Sequence, residues 1–133
     1  MARPSFLSAM LREPERQHSL HNTRSGRHVA STVELAVDSR SRRRGLLGRD
    51  RLEPGAALVI APCSSIHTFF MRFAIDVIFV ARDGRVLKTY SAVERSRIAV
   101  RLGAFAAIEL PVAAIAQADV KRGDMLQLLG RET

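Results

Sequence analysis

From Val29 onward the chain divides into short apolar segments of strand length, the first of them alternating with a two-residue period, separated by short stretches of polar and turn-forming residues. HVASTVELAV, residues 28 to 37, alternates, with Val29, Thr32 or Val33, Leu35 and Val37 as inward positions, and its β-branched content favours a strand. Asp38 or Ser39 can then cap a short helix over RSRRRGLL, whose Arg cluster faces solvent while Leu46 and Leu47 turn inward. Pro54 and Gly55 form a loop, and AALVIAP is a second strand, stopped by Pro62. Residues 75 to 82 and 85 to 91 flank Asp83 and Gly84, a dipeptide suited to a tight hairpin turn, so they should pair antiparallel. AFAAIEL is another strand, Pro111 suits the first turn of a short helix through Ala118, and Lys121 to Asp124 turn into a last strand, MLQLL.

Ahead of the hairpin lies SSIHTFFMRFAIDVIFV, residues 64 to 80, which sets His67, Arg72 and Asp76 in a highly apolar run. As one unbroken strand it would put Arg72 and Asp76 on one face and His67 on the other. Seventeen residues exceed a usual strand, and a break near Ala74 would let all three converge. Two readings follow. In the structural one, Arg72 and Asp76 form a partly buried ion pair and His67 is a hydrogen-bonded structural group. In the functional one, Arg72 is an anion clamp and His67 a proton donor or acceptor near neutral pH. Glu109, isolated in AAIEL, is a second carboxylate that can join them or pair with one of the many Arg residues.

Other chemistry is thinner. Cys63 follows Pro62 at a strand end, where a cysteine is more often a small hydrophobe than a nucleophile. His18 and His21 form an HxxH pair without an acidic or thiol partner at metal spacing, so neither a metal nor a cofactor is expected.

Composition narrows the class. A chain of 133 residues is long enough to bury a core without disulfides, and one cysteine excludes an internal disulfide framework. Residues 1 to 28 mix Arg, Ser, His, Asn and Pro without a lasting period and read as a disordered basic arm ahead of a single β-rich domain over 29 to 133. Removing the arm is expected to cost little stability. No membrane span and no convincing signal peptide is found, so a soluble, cytoplasmic chain is expected. The net charge of +8 attracts anions in general, but 19 of the 21 basic residues are Arg and they are spread along the chain. Most Phe residues sit in core-like runs rather than among the basic ones, so nucleic acid is the less favoured partner.

Taken in order, RGLLGR at 44 to 49, HTFFMRFAIDVIF at 67 to 79, IELP at 108 to 111 and VKRGDMLQL at 120 to 128 resemble the domain of unknown function family 192, small bacterial and archaeal proteins. Leu47 stands at a common Met place and Ala74 at a common Pro place, while Val112 and Ala113 follow Pro111 where a Gly is often found. The resemblance covers roughly residues 30 to 130. It implies a mainly β domain with α+β elements, a compact antiparallel sandwich or small jelly-roll-like barrel with two short helices, and it brings no activity with it. The functional expectation is a binding module for an anionic small ligand, peptide or protein partner, with His67, Arg72, Asp76 and Glu109 as the ligand-binding candidates. A hydrolase using His67 with Arg72, Asp76 or Glu109 is the second reading, and a basic RNA-associated protein the third. Oligomeric state and catalytic residues stay open.

Overall fold

A computed structural model describes residues 3–131. Along the chain run α1 (Ser8–Arg12), β1 (His18–Asn22), β2 (His28–Ala30), β3 (Thr32–Ala36), α2 (Ser39–Arg44) and β4 (Ala56–Ile60). They are followed by β5 (Ser65–His67), β6 (Ile75–Val80), β7 (Val86–Val93), β8 (Ile98–Val100), β9 (Ala106–Leu110), α3 (Ala114–Gln117) and β10 (Leu126–Gly130).

The apolar segments IDVIFV and AAIEL become β6 and β9, adjacent inner strands buried at every position. Continuous burial is what their sequence requires, because a strand apolar on both sides must be covered on both faces. The sheet they occupy has the order β3-β4-β9-β6-β7. Its pairs are antiparallel except β3 with β4, which run parallel because a crossover carrying α2 joins them. The sheet is thus mainly antiparallel with one parallel pair at its edge. Asp38 caps α2 as its residue type suggests, its carboxylate accepting the Ser41 N–H at 2.8 Å.

Each face of this sheet has its own apolar cluster. On one, Ala57, Val59, Ile78 and Ile108 meet a second sheet of order β10-β1-β2 through Leu20, Ala30, Leu126 and Leu128. On the other, Leu58, Ile60, Val77 and Phe79 are covered by Leu46 and Leu52 and by a two-stranded ribbon of β5 and β8 through Ile66 and Ala99. The architecture is mainly β and sandwich-like, and not closed into a barrel.

The expected hairpin of β6 and β7 is present, and its turn tolerates only glycine at Gly84. There φ is +93° and an added Cβ would lie 2.4 Å from the Leu126 carbonyl oxygen. Further along the pair, Ser91 and Ala92 lie opposite Asp76 alone, forming a β-bulge with Ala92 at φ +52°.

Three expectations need correction. HVASTVELAV is two strands, not one: Ser31 donates its N–H to the Gly55 carbonyl, and the chain leaves the small sheet at β2 and enters the large one at β3. The expected disordered arm over residues 1 to 28 contains α1 and β1. Leu7, Met10 and Leu20 are core residues, and β1 is the middle strand of the small sheet, paired with β10 from His18 to Asn22. No period announced it because its buried polar groups are satisfied from afar: Asn22 Nδ2 donates to the Asp124 carboxylate at 2.9 Å, 102 residues on. The helices among the described residues number three, not two, α1 being the addition.

Candidate functional site

Side chains of β9 alternate between the two clusters, so Ile108 and Leu110 go to one face and Ala107 and Glu109 to the other. Glu109 lies opposite Leu58 of β4 and Val77 of β6, which offer no side-chain donor. Its side chain is therefore held in the middle of a sheet face, and the residue is only 4% exposed. Among the described residues its carboxyl has no hydrogen-bond partner. Burial pushes its pKa up to about 7, against a smaller opposing pull from the Arg49 guanidinium.

Glu109 forms the floor of a cavity of about 720 Å³. Arg42, Arg43 and Arg44 of α2 stand along one wall, Pro62, Cys63 and Ser64 along another, and Ser65 and His67 of the ribbon along a third, with Leu46, Ile60, Ile66 and Met71 supplying apolar surface. Gly45 ends α2 at φ +48°, and a Cβ placed there would lie 3.6 Å from Glu109 Oε1, so the glycine turns the chain directly over the carboxyl. Arg42 is held loosely, with Nη1 3.4 Å from the Pro62 carbonyl, Nη2 3.5 Å from Ser39 Oγ, and a buried Nε without an acceptor. Cys63 Sγ sits 3.1 Å from the Ser65 carbonyl. Burial raises the thiol's pKa, and with the smaller push from Glu109 it outweighs the opposing hydrogen bond at Ser65 and the Arg42 charge, which keeps Cys63 a poor nucleophile at neutral pH.

The expected residues separate into two sets. His67 and Glu109 line the same cavity. His67 is exposed on β5, its ring 5.5 Å from that of Phe69. The chain does break after it, but the break does not bring Arg72 to Asp76. Arg72 is exposed and paired with Asp50. Asp76 points to the opposite face from Glu109, its Oδ1 accepting the Ala92 N–H at 2.8 Å and its Oδ2 the Ile115 N–H at 3.0 Å. The ion pair expected between Arg72 and Asp76 is thus replaced by two separate contacts, because the turn over residues 68–74 ends before β6 and carries Arg72 away from the sheet.

The expectation that Arg42, Arg43 and Arg44 face solvent holds for the exposed Arg43 and Arg44, Arg42 is half-buried, and all three also line the cavity, which the helix pattern alone does not show. A usable signal was Gly45 immediately after them, which forces the chain to reverse with the arginines still close to the sheet. His18 and His21, three apart on β1, point to opposite faces; His18 is bonded to the Arg16 carbonyl, and His21 to Ser19 Oγ with its ring 4.1 Å from that of His28. Among the described residues no helix is long and apolar enough to cross a membrane.

No curated protein matches the chain. Two crystal structures share its fold. One is a protein of unknown function from Novosphingobium aromaticivorans, 24% identical, with a TM-score of 0.71 over 84% of this chain and 83% of that one. The other, from Sinorhizobium meliloti and described as a candidate transcription regulator, is 24% identical, with a TM-score of 0.73 over 86% of this chain and 92% of that one. Identity at this level speaks for the fold alone. The family model DUF192, described as an uncharacterized ACR, matches residues 20–128, which begin within β1 and include the strand that carries Glu109. With that extent of match, the chain belongs to the DUF192 family.

Proposed function

We propose that the protein is a binding module for a small anionic ligand, held in the cavity between α2 and the β5–β8 ribbon. The observation that carries this reading is the pairing of a cationic wall, Arg42, Arg43 and Arg44, with a buried carboxyl, Glu109, that has no partner of its own among the described residues. The carboxyl opens onto the cavity alone, so a donor bound there would supply the partner that the protein does not. Arg43 and Arg44 are exposed at their tips and make no ion pair among the described residues, so their charge is available to an anion. In this reading His67 faces the ligand beside them. Asp76 and Arg72 hold the surrounding structure, the first by bracing a bulge, the second by pairing with Asp50.

A second reading follows from Glu109 alone. A carboxyl whose pKa is near 7 exchanges a proton readily at neutral pH, which suits general acid–base catalysis of a hydrolase type, with His67 as the second proton carrier. Nucleic acid fits less well. The longest helix among the described residues, α2, has six residues, too short to lie along a groove as a reading helix. Several arginines are also engaged by carboxylates, as Arg24, Arg49 and Arg51 are.

Thermal shift with a panel of small phosphates and carboxylates tests the proposal. The parent should be stabilised by at least one of them. The Arg43→Glu/Arg44→Glu chain, folded because both side chains are exposed, should lose that stabilisation. His67→Ala should weaken it with little change in melting temperature. Equal stabilisation of the parent and the double variant would refute an anion site on α2.

A further inference from the structure

We infer that the cavity takes a ligand which carries, at the end opposite its anion, a planar pair of N–H donors that chelate the two carboxylate oxygens of Glu109. The inference rests on the anion-site reading of the cavity and adds the chemistry of the other end of the ligand.

The argument starts from what Glu109 lacks. Neither of its oxygens has a hydrogen-bond partner among the described residues, although the residue is 4% exposed. Its cross-strand neighbours, Leu58 and Val77, are aliphatic, and the chain passing over it does so at Gly45, which adds no side chain. The fold therefore places two acceptors side by side at the floor of an open cavity and supplies no donor for either. The complement of a carboxylate with both oxygens available is a pair of parallel N–H groups, as in the bidentate contacts that arginine and nucleobase edges make.

The rest of the lining describes the body of such a ligand. Leu46, Ile60, Ile66 and Met71 offer apolar surface to a flat or aliphatic middle, and Arg43 and Arg44 meet an anion at the mouth. A volume of about 720 Å³ holds a molecule of nucleotide size. Two sources present this chemistry: a guanine nucleotide, whose ring N–H and exocyclic amino group form a neutral pair, and free arginine, whose guanidinium forms a cationic one. Charge favours the neutral pair, because the Arg49 guanidinium already acts on Glu109 and Arg42 stands beside Cys63. A further cation would be added to a site whose walls are positive.

Calorimetric titration of the full chain at about pH 8, where Glu109 is mainly ionised, tests this with guanosine monophosphate, adenosine monophosphate, free arginine and inorganic phosphate as probes. Guanosine monophosphate should bind at least about tenfold more tightly than adenosine monophosphate, which lacks the paired donors. In Glu109→Gln the preference should shift toward adenine, since an amide offers one acceptor and one donor. Melting curves of that variant confirm that it is folded. Arginine binding more tightly than guanosine monophosphate, and lost in Glu109→Gln, would support the same donor pair from the cationic source. Equal affinity for both nucleotides in the parent, with arginine not bound, or a preference unchanged in Glu109→Gln, overturns the inference. In that case, phosphate binding that disappears in Arg43→Glu/Arg44→Glu still upholds the anion site. Failure of the folded parent to bind any probe overturns both.

Discussion

Asp76 accepts the backbone N–H of Ile115 at 3.0 Å, tying the first turn of α3 to the inner strand β6 across 39 residues of chain. Its other oxygen takes the N–H of Ala92, the residue that the β-bulge in β7 leaves without a strand partner. One buried carboxylate thus satisfies two backbone donors that no regular structure serves, and it does so on the face of the sheet away from the cavity.

The contrast between Asp76 and Arg72 gives the first prediction. Asp76→Ala orphans the buried N–H of Ile115 and removes the part-buried bond to the N–H of Ala92, and should destabilise the fold by about 2 kcal/mol or more. Arg72→Ala removes an exposed ion pair with Asp50 and should cost less than about 1 kcal/mol. Urea denaturation of the two variants measures both. Similar losses would mean that the two residues act together after all.

Deletion of residues 1 to 28 should abolish folding, contrary to the expectation of a dispensable arm. It removes the middle strand of the small sheet and the core side chains Leu7, Met10 and Leu20. Burial of each such side chain contributes roughly 1.5–3 kcal/mol, so their loss alone approaches the whole stability of a typical domain. Circular dichroism and a thermal melt of the shortened chain decide it; a cooperative transition within a few degrees of the parent's would contradict the packing described.

Glu109 should make the protein less stable as the pH rises. Its folded pKa of about 7 lies above the ordinary 4.5, so between these values the native chain holds a proton that the unfolded chain has released. The stabilisation is fully present below about pH 4.5 and is lost as the pH passes through about 7, amounting to roughly 3 kcal/mol at most. Glu109→Gln should lose this component and exceed the parent in stability at about pH 8. The difference between parent and variant, taken from denaturation curves at mildly acidic and mildly alkaline pH, isolates the effect from the titration of the histidines.

Ala113→Gly should leave stability unchanged or raise it. Ala113 sits at φ +79° just before α3, in a left-handed conformation that costs a residue with a Cβ about 1–2 kcal/mol. Glycine relieves that cost and gives back about 0.4–1 kcal/mol through its freer unfolded chain, a net gain of up to about 1.5 kcal/mol. A fall of several degrees in melting temperature would show that the alanine methyl makes contacts that outweigh the strain.

The short apolar runs of β4, β6, β9 and β10, the tight turn at Asp83 and Gly84, the cap at Asp38 and the ordered family motifs were all legible in the sequence, because each depends on residues a few positions apart. Glu109 too was visible, as a lone carboxylate in an apolar strand. What remained hidden depended on partners far along the chain. HSLHN has one aliphatic residue and no amphipathic pattern, yet it is an inner strand, since His18 and Asn22 are buried with their polar atoms satisfied by Arg16 and by the distant Asp124. Ser31 divides what reads as one strand because Gly55 meets it there. Local periodicity states which residues of a strand share a side, and it cannot state what lies across from them. The register of β9 against β4 and β6 decided that Glu109 would face aliphatic neighbours and an open cavity, and the turn over residues 68–74 decided that Arg72 would meet Asp50 while Asp76 braced a bulge.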